Sequence, residues 1–322
     1  MQLNERIAYS KKVIADLTSS LDDCLRDYET SNLCVYATGS FGRLEASLHS
    51  DLDLFLFHNG VHDGTRISNI QIVLIKAAII TSCKTLGLPD FDADGQFLDV
   101  HYLDNVLTHL GGPEDDYKNY FTARMLMLLE GRCLYNHSVF DSVLNAIILE
   151  YCRDQHDHKA VFKPIMLVND IVRFWKTLCL NYEHKRNKEY KKNAEPPKFK
   201  VKNLKLKFSR LLICYPTIAS LAATKQPITP DFLYQHLRLT PMERIDDAGS
   251  NILELEASIK ILKEKYEWFM SISKSRQEME DWISNDANWE EARSHANDFA
   301  IAFYDIVSMS AGRAAWLRYI AL

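Results

Sequence analysis

Two aspartates separated by one residue stand near the end of the stretch CVYATGSFGRLEASLHSDLDLFLF, from Cys34 to Phe57. Side chains alternate between the faces of a strand, so Asp51 and Asp53 are predicted to project to the same side. Two adjacent carboxylates repel each other and need a counter-charge. Mg²⁺ supplies it, because this ion binds through one or two carboxylates and takes its other ligands from substrate phosphates and water. The spacing therefore predicts a metal site at the start of this strand.

The turn upstream of the aspartates carries groups that bind phosphate. Gly39 lets backbone N–H groups approach a ligand closely, Ser40 offers a hydroxyl, and Arg43 offers a positive charge. Glu45, two residues beyond the arginine, is expected to be a solvated side chain. Together with the aspartates, the turn predicts a phosphate cradle beside a metal site.

A third carboxylate is expected, because a two-metal phosphoryl-transfer site needs another acid to hold the metal that activates the attacking oxygen. Asp99 is the leading candidate, since it lies in QFLDVHYL, a run that alternates like a strand and is expected to lie beside the aspartate-bearing strand. Asp92 and Asp94 are the alternatives. They adjoin Gly95 in a predicted turn, where solvated acids are common.

The string GSFGRLEASLHSDLDLFLF resembles the signature of the DNA polymerase β-like nucleotidyltransferase superfamily, and is most similar to the uridylyltransferases of the PII-protein type and their relatives. The resemblance covers residues 33–104. It implies that the Gly-Ser turn contacts the triphosphate, that the Asp-x-Asp pair binds two Mg²⁺ or Mn²⁺ ions, and that a later carboxylate completes the site. Those roles fall on Gly39 and Ser40, on Asp51 and Asp53, and on Asp99. The phosphohydrolase motif and ligand-sensing repeats of full-length uridylyltransferases are not found, so the PII protein is not implied as substrate.

The elements that must position these residues fall into two styles of sequence. Residues 1–30 predict an amphipathic helix, and residues 31–104 predict a small mixed α/β unit. From residue 105 onward apolar residues recur at threes and fours, which predicts helices. The sequence thus predicts an α+β protein, with a small mixed β-sheet nucleotidyltransferase core and a larger all-α helical domain. The predicted bounds are 1–110 for the core and 111–322 for the helical domain, which is either one bundle or two sub-bundles at 111–225 and 240–322.

Composition bounds the class of protein. At 322 residues, with 47% hydrophobic and 25% charged residues, the chain is typical of a globular protein of about two domains. The seven cysteines are scattered singly, which indicates reduced, mostly buried thiols. No apolar run approaches the roughly 20 residues needed to cross a bilayer. The sequence therefore predicts a cytoplasmic protein without a membrane partner.

Two features of the helical part extend the nucleotide hypothesis. Arg173 and Lys176 share a predicted helix face with Asp170, where they either contact the triphosphate or form an ordinary polar face. Between His184 and Arg210 the chain carries eleven Lys or Arg residues against two Glu. This basic segment, Lys185–Arg210, is either a solvated loop or a surface that binds RNA through its phosphates, with the interleaved rings of Tyr190, Phe199 and Phe208 stacking on bases.

The sequence as a whole predicts an enzyme that transfers a nucleoside monophosphate from a nucleoside triphosphate to an acceptor hydroxyl and releases pyrophosphate. A protein hydroxyl ranks first as acceptor, because the motif is most similar to a protein-modifying group. An RNA or tRNA end, a small molecule and an oligonucleotide are the alternatives. A non-catalytic regulator that binds nucleotide is the rival class of protein.

Overall fold

The computed structural model describes residues 2–60, 66–91, 95, 98–159, 161–189 and 196–319. The protein is α+β, with one small mixed sheet and many helices, as predicted. The chain divides into two compact units. A sheet-bearing unit contains residues 4–153 and 233–238, and a helical unit contains residues 1–3, 154–232 and 239–322. The boundary predicted at residue 110 thus falls inside the sheet-bearing unit.

Four strands form the sheet, in the order β3-β2-β1-β4. They are β1 (Leu33–Ala37), β2 (Leu54–His58), β3 (Val100–Tyr102) and β4 (Arg132–Tyr135). The central strands, LCVYA and LFLFH, consist mainly of β-branched, aromatic and aliphatic residues, and every residue in them is buried. β1 runs antiparallel to both of its neighbours, whereas β2 and β3 are parallel.

The strand β4 differs from the sequence-based expectation that the chain is helical beyond residue 105. Tyr36 pairs with Cys133 and Ala37 with Arg132, so the run RCLY extends the sheet next to β1. Four residues are too few for a period of two to be told from a period of 3.6. The helical prediction was wrong here because the strand directly follows a true helix, α6 (Tyr120–Glu130), with only Gly131 between them.

Helices cover both faces of the sheet in this unit. The predicted N-terminal helix is confirmed as α1 (Leu3–Cys24), and its Leu17 and Leu21 share one apolar core with Leu56. On the opposite face the Tyr36 hydroxyl donates to the Ala123 carbonyl at 3.0 Å. The remaining helices are α2 (Gly39–Gly42), α3 (Asn69–Thr85), α4 (Leu103–Thr108), α5 (Pro113–Tyr117) and α7 (His137–Tyr151).

The helical unit has an apolar core of its own, in which the Phe208 ring stacks on the Phe269 ring at 4.6 Å between centroids. Phe199 and Phe208 are fully buried, so the prediction that these two rings stack on bases was wrong. Tyr190 lies outside the described residues. The helices numbered onward along the chain are α8 (Ile165–Glu189), α9 (Pro197–Lys205), α10 (Leu211–Ala223), α11 (Pro230–Leu237), α12 (Pro241–Asn251), α13 (Glu256–Ile272), α14 (Arg276–Ile283) and α15 (Asp286–Gly312).

All seven cysteines are free thiols and five of them are buried, as predicted. None of the helices in the described ranges is long and apolar enough to cross a membrane.

A buried ion pair fixes the start of α6. The Arg124 guanidinium donates to both carboxylate oxygens of Asp115, at 2.8 and 2.9 Å, and to the Tyr151 hydroxyl at 2.8 Å. Both charged side chains are fully buried. The Gly111 N–H also donates to Asp115, at 3.0 Å, so the pair ties the loop before α5 to α6 and α7. A planar fork matched to one carboxylate makes this arrangement rigid.

The variant Asp115→Asn is expected to lower the free energy of unfolding by about 3–5 kcal/mol, because it leaves the Arg124 charge buried without its counter-charge. Denaturant unfolding measures the change. Asp116→Asn, an exposed position in the same helix, is the control, and about 0.5 kcal/mol or less is expected there. Equal losses of unfolding free energy for the two variants would show that the ion pair between Asp115 and Arg124 does not stabilise the fold.

Candidate active site

The Gly-Ser turn and the Asp-x-Asp run, more than ten residues apart in sequence, meet in the structure. Gly39 opens α2, with Thr38 between it and the end of β1, and has a φ of +64°, a conformation that favours glycine. A Cβ atom placed on Gly39 would lie 2.6 Å from Oδ2 of Asp53, so the carboxylate rests against the glycine backbone. The Thr38 N–H also donates to the Asp53 carbonyl at 2.9 Å. The glycine is therefore required both by its φ and by its neighbour.

The two aspartates precede β2 and do not belong to it. Asp51 is exposed and Asp53 is half-buried, while Leu52 between them is 2% exposed and packs into the core. This alternation anchors the run through its leucine and leaves both carboxylates on the solvent side of the chain. Ser40, the other member of the predicted cradle, is half-buried in the first turn of α2.

Arg43 lies between two buried carboxylates. Its Nε donates to Glu45 at 2.7 Å and its terminal nitrogen donates to Glu130 at 2.5 Å. The other oxygen of Glu130 accepts the Gly39 N–H at 3.0 Å. The expectation of a solvated Glu45 was wrong, since this residue is 5% exposed and neutralises part of the arginine charge. Glu130 therefore binds both groups that the sequence assigned to phosphate, the Gly39 N–H and the Arg43 guanidinium.

Helix α1 holds the loop that carries this cluster. The buried Arg6 side chain donates to the Glu45 carbonyl at 3.0 Å, and the Ser10 hydroxyl accepts the Ala46 N–H at 3.0 Å. Leu44 adopts a φ of +62°, which is a strained conformation for a bulky residue. Surrounding contacts must impose such a backbone, and here the buried polar side chains of α1 contribute them.

Asp99 directly precedes β3 and pairs with a lysine. The register of the parallel strands, Leu56 with Val100, sets Asp99 opposite Phe55, two residues beyond Asp53. Its carboxylate is 75% exposed and accepts from Lys76 Nζ at 2.7 Å. Over the described ranges, no three His, Cys, Asp or Glu side chains are grouped closely enough to hold a metal ion. Asp99 as a metal ligand stays a prediction, and Asp92 and Asp94 lie outside the described residues.

A cavity of about 450 Å³ opens beside this strand end. Aromatic side chains form part of its wall, since His101 packs against Phe55 at 6.0 Å and edge-on against Tyr120 at 6.1 Å between ring centroids. Burial lowers the pKa of His101 to about 4, although Asp99 opposes the shift, so the imidazole is neutral at pH 7. Asp99, Lys76 and Lys118 also line the cavity.

Two of the basic residues predicted in the helical part, Arg173 and Lys200, have acidic partners within their own unit. Arg173 contacts Asp170 at 3.5 Å, and Lys176 is exposed. In the basic segment, Lys200 lies 3.9 Å from Asp286 and over the Trp289 ring. The contacts to triphosphate and to RNA stay predictions.

Sequence reasoning missed Glu130 and Lys76. Glu130 ends the run MLMLLEG, in which a lone acid follows five apolar residues and precedes a glycine. A single charge in an otherwise buried stretch predicts a buried partner, and that signal was available. Lys76 carries no comparable signal, because a lysine in a helix is ordinarily solvated.

Gly39→Ala is expected to unfold at a lower denaturant concentration than Gly87→Ala. Both positions have a positive φ, +64° and +67°, so both substitutions strain the backbone. A Cβ at Gly87 meets nothing within 4 Å, whereas at Gly39 it meets Asp53. The difference isolates the close approach, and about 1–3 kcal/mol is expected for it. Equal losses would show that Asp53 does not constrain the turn.

Comparison with known proteins identifies no family for this chain. No family model matches the sequence, and no curated protein matches it.

Proposed function

We propose that this protein is a nucleotidyltransferase that transfers a nucleoside monophosphate from a nucleoside triphosphate, bound with Mg²⁺, to an acceptor hydroxyl. In the reaction the hydroxyl oxygen forms a bond to the α-phosphorus and the bond from that phosphorus to the bridging oxygen breaks. Pyrophosphate leaves, and the hydroxyl proton passes to a carboxylate or to water. By resemblance to the DNA polymerase β-like superfamily, a protein hydroxyl is the first-ranked acceptor.

The observation that carries the proposal is the contact between Gly39 and Asp53. Neither a Gly-Ser pair nor an Asp-x-Asp run is distinctive alone, and a chance match would not need the two to be neighbours in space. Here a carboxylate rests against the backbone of the glycine, 2.6 Å from where a Cβ would be. This juxtaposition supports a triphosphate held at the turn with its metal at the aspartates.

The donor set at the turn fits a magnesium ion that arrives with its nucleotide. Asp51 and Asp53 are solvent-accessible carboxylates one residue apart. Mg²⁺ needs only one or two carboxylates when phosphates and water supply the rest of its coordination. Bound there, the ion would neutralise charge on the phosphates and polarise the α-phosphorus. Asp99 would hold a second ion or accept the acceptor proton once Lys76 releases it.

Positioning accounts for the rest of the chemistry that the chain contributes. Leu52 fixes the backbone between the aspartates, and the buried cluster of Arg43, Glu45 and Glu130 fixes the turn. A substrate aligned for in-line attack gains rate because its translational freedom is already lost on binding. Ser40 offers its hydroxyl to the phosphates at the start of α2.

Replacing both aspartates, Asp51→Ala with Asp53→Ala, is expected to reduce transfer of an α-labelled triphosphate by at least about 10³-fold, because the metal loses its protein ligands. The fold should persist, since neither carboxylate is fully buried. Asp22→Ala with Asp23→Ala removes two exposed charges from α1 and is the control. Undiminished labelling in the Asp51/Asp53 variant would refute the proposal.

The acceptor class is testable with the same labels. The protein is incubated with each of four α-labelled triphosphates, Mg²⁺ and a cell lysate, and protein, RNA and small-molecule fractions are counted separately. Label in protein that requires both aspartates is expected for the first-ranked acceptor. Label confined to RNA or to small products would assign the acceptor to an alternative class, and the triphosphate that supplies it identifies the base.

A non-catalytic nucleotide-binding regulator is the second candidate function, and a specific observation favours it. Glu130 occupies the Gly39 N–H and the Arg43 guanidinium, while Lys76 occupies Asp99. Calorimetry with each triphosphate, with and without Mg²⁺, separates the candidates when combined with a pyrophosphate assay. Binding of a triphosphate without release of pyrophosphate, in the presence of lysate fractions that supply acceptors, would support the regulator.

A further inference from the structure

The cavity at the end of β2 and β3 has the features of an anion site. Asn119, Tyr120 and Thr122, from the N-terminal end of α6, line it together with Lys76 and Lys118. The N-terminus of an 11-residue helix carries a partial positive charge and backbone N–H groups that attract anions. The Asn119 side chain accepts no hydrogen bond from the first turn of its helix, so the N-cap adds no acceptor of its own there.

Among the side chains that line the cavity, the charge balance is positive. Lys76 and Asp99 pair at 2.7 Å and cancel each other. Lys118 remains, held over the Tyr117 ring at 5.5 Å from its centroid. A lysine beside a helix N-terminus favours a compact anion such as a phosphate or a carboxylate.

His101 is a second, independent indication of a ligand. The side chain lines the cavity and the residue is 7% exposed. Its contacts in the described part of the chain are with rings, those of Phe55, Phe57 and Tyr120, and it forms no side-chain hydrogen bond there. The ring nitrogens are not among the fully buried side-chain atoms that lack a partner, so solvent still reaches them and a ligand would take the place of that solvent. A polar ligand in the cavity would provide a hydrogen-bond partner for them.

The aromatic side chains of the cavity wall favour a ligand that carries a planar ring. Phe55, His101 and Tyr120 present aromatic surfaces, which pack well on a planar ring. A volume of about 450 Å³ is within the range of small-molecule sites. Asp99 stands at the same cavity, next to the residue that pairs with β2.

We propose that this cavity binds the acceptor, and that the acceptor is the small-molecule alternative to a protein hydroxyl, with a planar ring and a phosphate group in the manner of a nucleotide. The phosphate lies at the start of α6 beside Lys118, the ring packs on the aromatic wall and bonds to His101, and the hydroxyl faces Asp99. The role of the bound molecule as acceptor rests on the proposed function. Binding in the cavity itself does not depend on it.

The test is calorimetric titration of the full chain, without Mg²⁺, with the monophosphates UMP, CMP, AMP and GMP, with the matching nucleosides, and with inorganic phosphate. At least one monophosphate is expected to bind with a Kd below about 1 mM and at least about 10-fold more tightly than its nucleoside and than phosphate. If inorganic phosphate binds as tightly as every monophosphate, the proposed recognition of a ring is refuted. If none of these compounds binds, the proposed site is refuted.

Two charge changes locate the binding. Lys118→Ala and Asn119→Asp are each expected to weaken the bound monophosphate by about 10-fold, since the first removes a cation and the second adds a negative charge where the phosphate lies. Aspartate tolerates a positive φ such as the +59° of Asn119 and is itself a favourable N-cap, so the fold is preserved. His101→Phe keeps the ring and should weaken binding by about 5-fold.

Matched controls are Lys84→Ala, a lysine farther along α3, and Asn285→Asp, the N-cap of α15 in the helical unit. Both should leave the Kd unchanged. Unchanged binding in the Lys118 and Asn119 variants would place the ligand elsewhere and refute the proposal. The Asp51/Asp53 double variant should still bind monophosphate while losing transfer. Failure of the cavity and failure of nucleotidyl transfer are thereby seen in separate measurements.

Discussion

The buried cluster of Arg43, Glu45 and Glu130 is the interaction on which the candidate site depends. It joins the turn after β1 to the end of α6, and Glu130 reaches the Gly39 N–H through its second oxygen. Two carboxylates and one guanidinium at this depth are tolerated only with close geometry and further hydrogen bonds, because each charge has lost its water. Removing Arg43 would leave two buried carboxylates without their cation, so the cluster locks the turn against which Asp53 rests.

The parallel pairing of β2 with β3 determines what else reaches that turn. Parallel strands align their amino ends, so the residues that precede them emerge at one edge of the sheet. Asp53 precedes β2 and Asp99 precedes β3 at that edge. The cavity lies on the same side, and the Arg124–Asp115 pair fixes the helix start that lines it. Two buried ion pairs thus hold the candidate site. The Arg43–Glu130 pair holds the turn, and the Arg124–Asp115 pair holds the helix that lines the cavity.

Local patterns in the sequence were enough to predict the helix α1, the strands β1 and β2, the α+β class and the free, mostly buried cysteines. These features depend on periodicity and composition within one segment. The strand β4 escaped prediction because four residues carry too short a period, and its place beside β1 depends on a contact almost a hundred residues away. The proximity of the Gly39 turn to the aspartates was predicted from the chemistry of the two segments, and the resemblance implied it as well.

The burial of charged residues was also not predicted from the sequence, and this failure has one cause. Glu45 was expected in solvent because acids are rarely buried without a partner, and its partner Arg43 was assigned to phosphate. The same error applies to Phe199 and Phe208, whose position among lysines suggested exposure, although a helix can bury one apolar side and leave the lysines of the other in water. In each case the decisive fact was the neighbour in space.

The energetic difference between the two carboxylate contacts separates the roles of Arg43 and Asp99. The pair between Lys76 and Asp99 is largely exposed, and such pairs contribute about 0–1 kcal/mol, so a ligand can exchange them at little cost. Separating Arg43 from Glu130 would leave the buried Glu130 carboxylate without its cation, which is unfavourable by about 3–5 kcal/mol. Asp99 can therefore change partners at little cost, whereas Arg43 is better explained as the residue that holds the turn. Under the proposed function, neutralisation of the triphosphate would then fall to a metal at Asp51 and Asp53.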